Sequence, residues 1–259
     1  MSEQLLAVRD GGILRLTMNR PDKLNAMTSE MAGAARTAFE DTARDARTRV
    51  VLLTGAGRGF CAGQDLGEEG VAPGSDLGAV IERHYNPLIH AIRSLEKPVI
   101  ARVNGIAAGA GANIAFACDI VVAAASAQFV ESFARIGLLP DSGGTWMLPR
   151  LVGHARAVAL AMLGTPFGAR QAYEWGAIWK VVEDEELDAQ CDALARALAS
   201  GPTKGYGAIK SAIAAAWNTD IDAQLELERD AQRALGTTDD FREGVEAFAK
   251  KRPPSFRGS

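Results

Sequence analysis

The sequence has few of the residues that identify several classes of protein. Only three cysteines occur, at Cys61, Cys118 and Cys191, far apart and odd in number. This pattern predicts neither a disulfide framework nor a zinc site, and it favours a reduced, cytoplasmic compartment. The three histidines show no metal-ligand spacing with the cysteines or with each other, so we expect no metal. A net charge of -4 provides no general basic surface, which argues against nucleic-acid binding.

Long apolar runs are also missing. The most apolar stretch, residues 99–130, is interrupted by Arg102, Asn104, Asn113 and Asp119. Because a membrane span needs about 20 predominantly apolar residues, we expect a buried core segment and no membrane association. The N-terminus lacks the basic start and apolar run of a signal peptide.

The patterns that are present predict an α/β fold. One strand is expected before Gly11 and one after Gly12. Continuous apolar runs in "RVVLLTG", "KPVIARVNG" and "DIVVAAAS" are typical of strands buried on both faces. Thr28 is the expected N-cap of a helix over 29–45, and residues 78–95 have a helical pattern. Residues 1–202 are expected to form the α/β core and residues 203–259 a helical region.

Two glycine-rich loops each follow a predicted buried strand. "TGAGRGFCAGQD" is not a dinucleotide fingerprint, because Phe60 stands where a third glycine is needed, and Gln64 stands where a phosphate loop needs lysine. The second loop, "AAGAGAN", runs directly into a helix, whose first N–H groups lack partners within the helix. One N–H from each loop could hold one carbonyl oxygen as it gains negative charge, which is an oxyanion hole.

At these residues the chain resembles the crotonase superfamily, the enoyl-CoA hydratase/isomerase family. The resemblance runs over essentially the whole chain, through "LTMNRPDKLNAM", "GRGFCAGQDL", "KPVIARVNGIAAGAGANIAFACDIVVAAASAQF", "IGLLPDSGGTWMLPRLVG" and the last 33 residues, "LERDAQRALGTTDDFREGVEAFAKKRPPSF" onward. It implies a spiral of strand-strand-helix units with a C-terminal helical trimerisation region. It also implies a homotrimer or a hexamer made of two trimers.

The resemblance implies a set of site residues. The oxyanion N–H groups would belong to Gln64 and Ala110, although the family usually has glycine at the second position. Contacts to coenzyme A, which is part of the substrate and not a separate cofactor, would come from Lys23, Leu24, Ala26, Ala62, Asp65 and Leu66. The acyl site would be lined by Tyr85, Gly109, Asn113 and Phe133.

The chain departs from the family's hydratases at two positions. Asn113 and Phe133 stand where the hydratases carry two glutamates. Water addition needs a base that activates water and an acid that protonates carbon, and neither side chain can serve at neutral pH. Asn113 is either a structural amide that bonds the loop or a substrate contact.

Asp141, in "LLPDSGGTW", is the acid that remains. From the residues alone, the preferred interpretation is a cap for the helix that begins near Gly143. The resemblance favours the other interpretation, since family isomerases place a working carboxylate here to carry a proton between carbons. The second nearby acid, Glu131, is expected to be structural or salt-bridged. For Trp146 and Phe133, two interpretations remain open: they line an aromatic acyl site or they pack in the core.

Three functions follow as hypotheses. The first is a CoA-thioester isomerase, because "FCAGQDL", "ERHYNPL" and "GLLPDSGGTW" most resemble family members that convert ring-epoxidised phenylacetyl-CoA to an oxepin in phenylacetate degradation. Such an enzyme could also shift a double bond from the 3 to the 2 position of an enoyl-CoA. The second is an enoyl-CoA hydratase with a displaced acid. The third is a non-catalytic subunit that binds CoA esters.

Overall fold

A computed structural model of the chain describes residues 2–68 and 70–259. Within these residues, the larger of two sheets has six strands. Its order is β1-β2-β3-β5-β7-β10, where the strands are Leu5–Asp10, Ile13–Met18, Val50–Gly55, Val99–Val103, Ile120–Ala124 and Lys180–Val182. β1 and β2 form the predicted antiparallel hairpin, and every other pair in this sheet is parallel. All six residues of β3 are buried, as its continuous apolar run predicts.

A second sheet of very short strands lies within the same described residues. Its order is β4-β6-β8-β9, where the strands are Gly59–Cys61, Ile106–Ala108, Gln128–Val130 and Phe167–Gly168. β4, β6 and β8 each follow directly on a strand of the larger sheet, and this repetition generates the expected spiral of strand-strand-helix units. Of the two glycine-rich segments that the sequence presents as loops, the first therefore contains all of β4, and the second begins with the last two residues of β6.

The helices of the core begin with α1, Ser29–Arg44, whose N-cap is Thr28 as predicted: the Met31 N–H donates to the Thr28 hydroxyl. The segment expected to be helical over 78–95 is α2, Leu77–Val80, then a π-helical turn, Ile81–Tyr85, then α3, Asn86–Ser94. The remaining core helices are α4 Ala110–Ala117, α5 Gly144–Val152, α6 His154–Leu163, α7 Ala169–Glu174 and α8 Leu187–Ala199. Short 3-10 helices cover Pro21–Lys23, Ser132–Ile136 and Asp184–Glu186.

The core joins α4 to the second sheet through stacked aromatic rings. Phe116 of α4 lies 5.3 Å from Phe129, and Phe129 lies 5.7 Å from Phe167, centroid to centroid. These offset contacts add to the burial of large apolar surfaces. They fix α4, and with it the turn at its N-terminus, against the strands that carry the site.

The C-terminal region is helical, as predicted, with α9 Thr203–Ala215, α10 Ile221–Leu235 and α11 Asp239–Ala249. Arg49, just before β3, donates to the Thr203 hydroxyl and to the carbonyl of Phe256, so the chain end is attached to the core. Phe241, Val245 and Phe248 follow helical spacing on α11 and are exposed, Phe248 to 86%. The region therefore leaves an apolar stripe uncovered.

Candidate active site

The first glycine-rich loop pairs with the segment that precedes α1. Met27 donates its N–H to the carbonyl of Gly63 at 2.7 Å, and Asp65 donates its N–H to the carbonyl of Met27 at 2.9 Å. Ala62 donates to the carbonyl of Leu24 at 2.9 Å. The two segments predicted to contact coenzyme A, 23–26 and 62–66, therefore lie side by side. Lys23 and Leu66 are exposed at this rim.

This pairing determines the direction of the Gln64 amide. In the parallel bridge between Met27 and Gln64, the bonds to Met27 are made by the neighbours of Gln64, so the N–H of Gln64 points to the other side. On that side lies the start of α4. A Cβ on Gly63 would be 2.8 Å from the carbonyl oxygen of Ala108 and 3.7 Å from the nitrogen of Ala110. The two amides predicted for the oxyanion hole thus belong to backbone segments in direct contact.

The Ala110 amide is available at the N-terminus of α4. Gly109 adopts the positive φ of +51° at the N-cap, so Ala110 begins the helix with ordinary helical backbone and its Cβ causes no strain. Within the described residues, neither the Gln64 N–H nor the Ala110 N–H donates a hydrogen bond. The helix dipole adds partial positive charge at this end of α4. The arrangement suits an oxygen that carries negative charge.

Two residues that the sequence interpretation missed hold the first loop in place. Asn25 is fully buried and donates to the carbonyls of Ala56 and Gly59, although its own φ is +57°. Arg20 forms an ion pair with Asp65 at 2.8 Å, and this hydrogen bond lowers the pKa of the Asp65 carboxyl. The Asp65 side chain is therefore engaged within the protein, which leaves its backbone for any contact with coenzyme A.

Asp141 lies at the turn between the Ser132–Ile136 helix and α5. The capping interpretation is wrong: α5 begins at Gly144, its N-cap is Gly143, and no side chain caps it. The half-buried Asp141 carboxylate accepts a hydrogen bond from the Ser142 hydroxyl at 2.9 Å. Burial raises the pKa of Asp141 above its ordinary value, and the bond from Ser142 opposes this. Ser142 itself has a φ of +50°, a strained conformation for a residue with a Cβ.

Asn113 ties this turn to α4. Its Nδ2 donates to the backbone carbonyl of Asp141 at 2.9 Å, and it approaches Glu131 Oε2 at 3.4 Å. The Nδ2 group of Asn113 therefore has the structural role that was one of its two expected roles. Its Oδ1 is buried and has no partner among the described residues, so a contact with substrate remains a prediction.

The structure contradicts one of the two alternatives expected for Glu131. The residue is completely buried, on the inward side of the chain, and within the described residues it forms no salt bridge. The salt-bridge interpretation is therefore wrong. Burial raises the pKa of the Glu131 carboxyl to about 8, with a smaller raising effect from the charge of Asp141, while the bond from Asn113 lowers it. The sequence could not reveal this, because the alternation of Phe129, Glu131 and Phe133 leaves the direction of the Glu131 side chain ambiguous.

Aromatic side chains close the site. Tyr85 is buried at the end of the π-helical turn and donates to the carbonyl of Met27 at 3.3 Å. The ring of Phe133 is also buried and lies 3.6 Å from where a Cβ on Gly109 would be. Trp146, by contrast, packs against Trp217 with ring centroids 4.6 Å apart, so its ring belongs to a cluster with the C-terminal region.

An apolar cavity of about 350 Å³ lies at the other end of α4, beside α9. Its walls include Phe116, Cys118, Met147, Ile213 and Trp217, and none of the predicted site residues.

Across residues 2–68 and 70–259, no group of three or more His, Cys, Asp or Glu side chains could hold a metal ion. Over the same ranges, none of the helices is both long and apolar enough to cross a bilayer.

Comparison with known proteins decides the family. Residues 9–259 match the enoyl-CoA hydratase/isomerase family. The chain belongs to this family. It is 52% identical to the 1,2-epoxyphenylacetyl-CoA isomerase of Escherichia coli strain K12, with both chains covered completely. It is also 34% identical to the trans-2-decenoyl-[acyl-carrier-protein] isomerase of Streptococcus mutans, over 99% of this chain and 98% of the relative.

Solved structures of the family share the fold. The enoyl-CoA hydratase from Bacillus anthracis superimposes with a TM-score of 0.94 at 30% identity, covering 99% of this chain and 100% of that one. The predicted membership and the predicted crotonase-type spiral are both confirmed. As a member of the family, the chain is an enzyme of the hydratase/isomerase type.

Proposed function

We propose that this enzyme is a CoA-thioester isomerase whose substrate is ring-epoxidised phenylacetyl-CoA. The observation that carries the proposal is the meeting of two unpartnered backbone amides, Gln64 and Ala110, next to a turn that holds one half-buried carboxylate, Asp141. The Escherichia coli relative, identical at half of all positions, carries out isomerisation of a compound of this kind according to its name.

The chemistry needs one carboxylate and two amides. Asp141 removes a proton from the α-carbon of the thioester. The electron pair of that C–H bond forms a double bond to the carbonyl carbon, and the π electron pair of the carbonyl moves to the thioester oxygen. The N–H groups of Gln64 and Ala110 stabilise the resulting enolate, and each such donor typically contributes about 3 kcal/mol in the transition state. The protonated Asp141 then returns the proton to the γ-carbon, which places the double bond in conjugation with the thioester. No water, oxidant or reductant is consumed.

The same step serves both predicted substrates. In a 3-enoyl-CoA it moves the double bond to the 2 position. In the epoxide, the ring first isomerises to the seven-membered oxepin by cleavage of the carbon–carbon bond of the epoxide. The α-proton then moves to the ring carbon at the γ position. The raised pKa of Asp141 suits this task. It reduces the difference between the pKa of the Asp141 carboxyl and the far higher pKa of the α-proton, which favours the proton transfer.

A test separates the role of Asp141 from folding. Asp141→Asn keeps the size of the side chain and should lower kcat by several orders of magnitude, without loss of acyl-CoA binding by calorimetry. Exchange of the α-proton of phenylacetyl-CoA in D₂O, followed by NMR, should cease in parallel. Ser142→Ala is the matched control, since it keeps the Asp141 carboxylate and removes only the hydrogen bond that this carboxylate accepts from Ser142. Unchanged turnover in Asp141→Asn would remove this residue from the mechanism.

One observation keeps hydration open as the second candidate. Glu131 is a buried acid beside Asn113, so a displaced acid is present in the site. Rapid hydration of crotonyl-CoA by the pure protein, abolished in Glu131→Gln, would favour a hydratase. Weak or absent hydration of crotonyl-CoA by the protein, with isomerisation retained, would favour the isomerase.

We further propose a homotrimer, or a hexamer of two trimers, that assembles through residues 203–259. The exposed apolar stripe of Phe241, Val245 and Phe248 on α11 supports this, because such a surface is normally covered. Native mass spectrometry of the full chain should give three or six copies, and a monomer would contradict the proposal. A cytoplasmic location, and coenzyme A as part of the substrate without a separate cofactor, belong to the same proposal.

A further inference from the structure

Three buried polar atoms at the site lack partners among the described residues. They are Gln64 Nε2, Asn113 Oδ1 and Glu131 Oε1. Buried polar atoms are normally hydrogen-bonded, because an unmade bond costs free energy. Glu131 is the most costly of the three, since a carboxyl with no exposed surface and only one long hydrogen bond is poorly stabilised as an anion. The proton transfer described above makes no use of it.

The contacts of Glu131 lead directly to the loop of Asp141. Asn113 Nδ2 lies 3.4 Å from Glu131 Oε2 and donates at 2.9 Å to the Asp141 carbonyl. The amide therefore bridges the Glu131 carboxyl and the backbone that carries the catalytic acid. Gly144, the first residue of α5, packs against the same amide so closely that a Cβ there would overlap it. Any reorientation of Asn113 would consequently move the Asp141 turn.

The charges around Glu131 disfavour its ionised form. From the turn before α5, Asp141 is the titratable group whose charge acts on it, and from α4 only the neutral amide of Asn113 faces it. Arg135, on the Ser132–Ile136 helix, has its Nε against Gly164, beside the backbone carbonyl of Glu131, and forms no ion pair with the carboxyl. A negative charge on Glu131 would repel both the Asp141 carboxylate and the negatively charged enolate.

We propose that Glu131 is a positioning residue that works as an uncharged carboxylic acid, fixing Asn113 so that Asn113 holds the loop of Asp141. This inference rests on the proposed function, because it takes Asp141 as the base. It also gives a reason for the amide at position 113. An amide at 113 can donate to the Asp141 carbonyl, which a carboxylate could not.

The experiment compares pH profiles of kcat for the wild type, Glu131→Gln and Glu131→Ala, with any thioester that the enzyme isomerises. The wild type should lose activity on the alkaline side as Glu131 ionises, with a midpoint near pH 8. Glu131→Ala should lower kcat at pH 7 by about ten- to a hundredfold, because the turn is no longer fixed. Glu131→Gln should recover most of that loss, since its amide can also accept from Asn113, and its profile should lack the alkaline limb.

Either of two results would overturn the proposal. The wild type could have no alkaline limb between pH 7 and 9, or Glu131→Gln could retain it at the same midpoint. Asp119→Asn is the matched control, because Asp119 is another acid with a raised pKa, and it lies beyond the C-terminal end of α4, paired with Lys210. Its profile should keep the limb, and loss of the limb in Asp119→Asn would contradict the assignment to Glu131.

A second readout does not depend on turnover. Infrared difference spectra between neutral and alkaline pH should contain a protonated-carboxyl band that is absent in Glu131→Gln. If that band is present but the protein isomerises no thioester, the proposed function fails while the neutral state of Glu131 stands. If the band is missing in the wild type, the neutral state is refuted whatever the substrate is.

Discussion

Replacing Gly63 by alanine would push a methyl group into the junction of the two loops. The new Cβ would lie 2.8 Å from the carbonyl oxygen of Ala108, where an unstrained contact is about 3.5 Å, so the loops must separate by roughly half an ångström or more. Its φ of +92° also suits glycine alone, and the strain should cost about 1–3 kcal/mol of folding stability. The movement would carry the Gln64 amide away from the Ala110 amide.

The expected kinetic result is a loss in kcat. Removal of one oxyanion donor lowers kcat by about 10²–10³-fold. Because Gly63 lies within the 62–66 segment predicted to contact coenzyme A, the test rests on kcat and not on KM. Steady-state isomerisation kinetics and thermal unfolding would be measured together. Gly74→Ala is the control, since Gly74 has a matching φ of +93° and open space around it. It should be destabilised by a similar strain while keeping kcat within about threefold. A folded Gly63→Ala enzyme with wild-type kcat would refute the predicted oxyanion hole.

Three further predictions concern side chains of the site. The acid limb of the kcat profile should have its midpoint above the ordinary pKa of aspartate, because burial raises the pKa of Asp141, and a midpoint at or below the ordinary value would argue against Asp141 as the base. Tyr85→Phe should lower the free energy of unfolding by only about 1 kcal/mol, since the Met27 carbonyl keeps its bond from Asp65; a loss of several kcal/mol by urea unfolding would contradict this. The folded-state pKa of Glu131 lies above its unfolded value, so the native state binds the extra proton and stability should fall as pH rises from about 4.5 to about 8. The slope for this one group is at most about 1.4 kcal/mol per pH unit, and it should vanish in Glu131→Gln.

Much of the fold could be predicted from local patterns. Continuous apolar runs identified β3, β5 and β7, because strands covered on both faces carry no alternation. Thr28 was recognisable as a cap because its hydroxyl can satisfy a free N–H at the start of α1. The strands β4 and β6 could not be recognised in the same way. Each has three residues with glycine at or near its ends, and it exists only because neighbouring strands supply its partners.

The sequence drew attention to the loops and the acid of the candidate site, but not to the residues that hold them in place. The glycine loops were visible because each follows a buried apolar strand, and Asp141 was visible through the resemblance to the family, since aspartate is an ordinary turn residue. The burial of Glu131 was not, since its direction depends on where the second sheet places β8. The π-helical turn before α3, which brings Tyr85 into the site, also depends on tertiary packing and has no sequence pattern of its own.

The most direct measurement is a crystal structure of the enzyme with a non-reacting acyl-CoA, such as phenylacetyl-CoA bound to Asp141→Asn. The thioester oxygen should lie about 2.7–3.1 Å from both the Gln64 and the Ala110 nitrogens. The α-carbon should lie about 3–3.5 Å from the side chain at position 141. A thioester oxygen bonded to neither amide, or an α-carbon on the far side of the site from position 141, would contradict the mechanism.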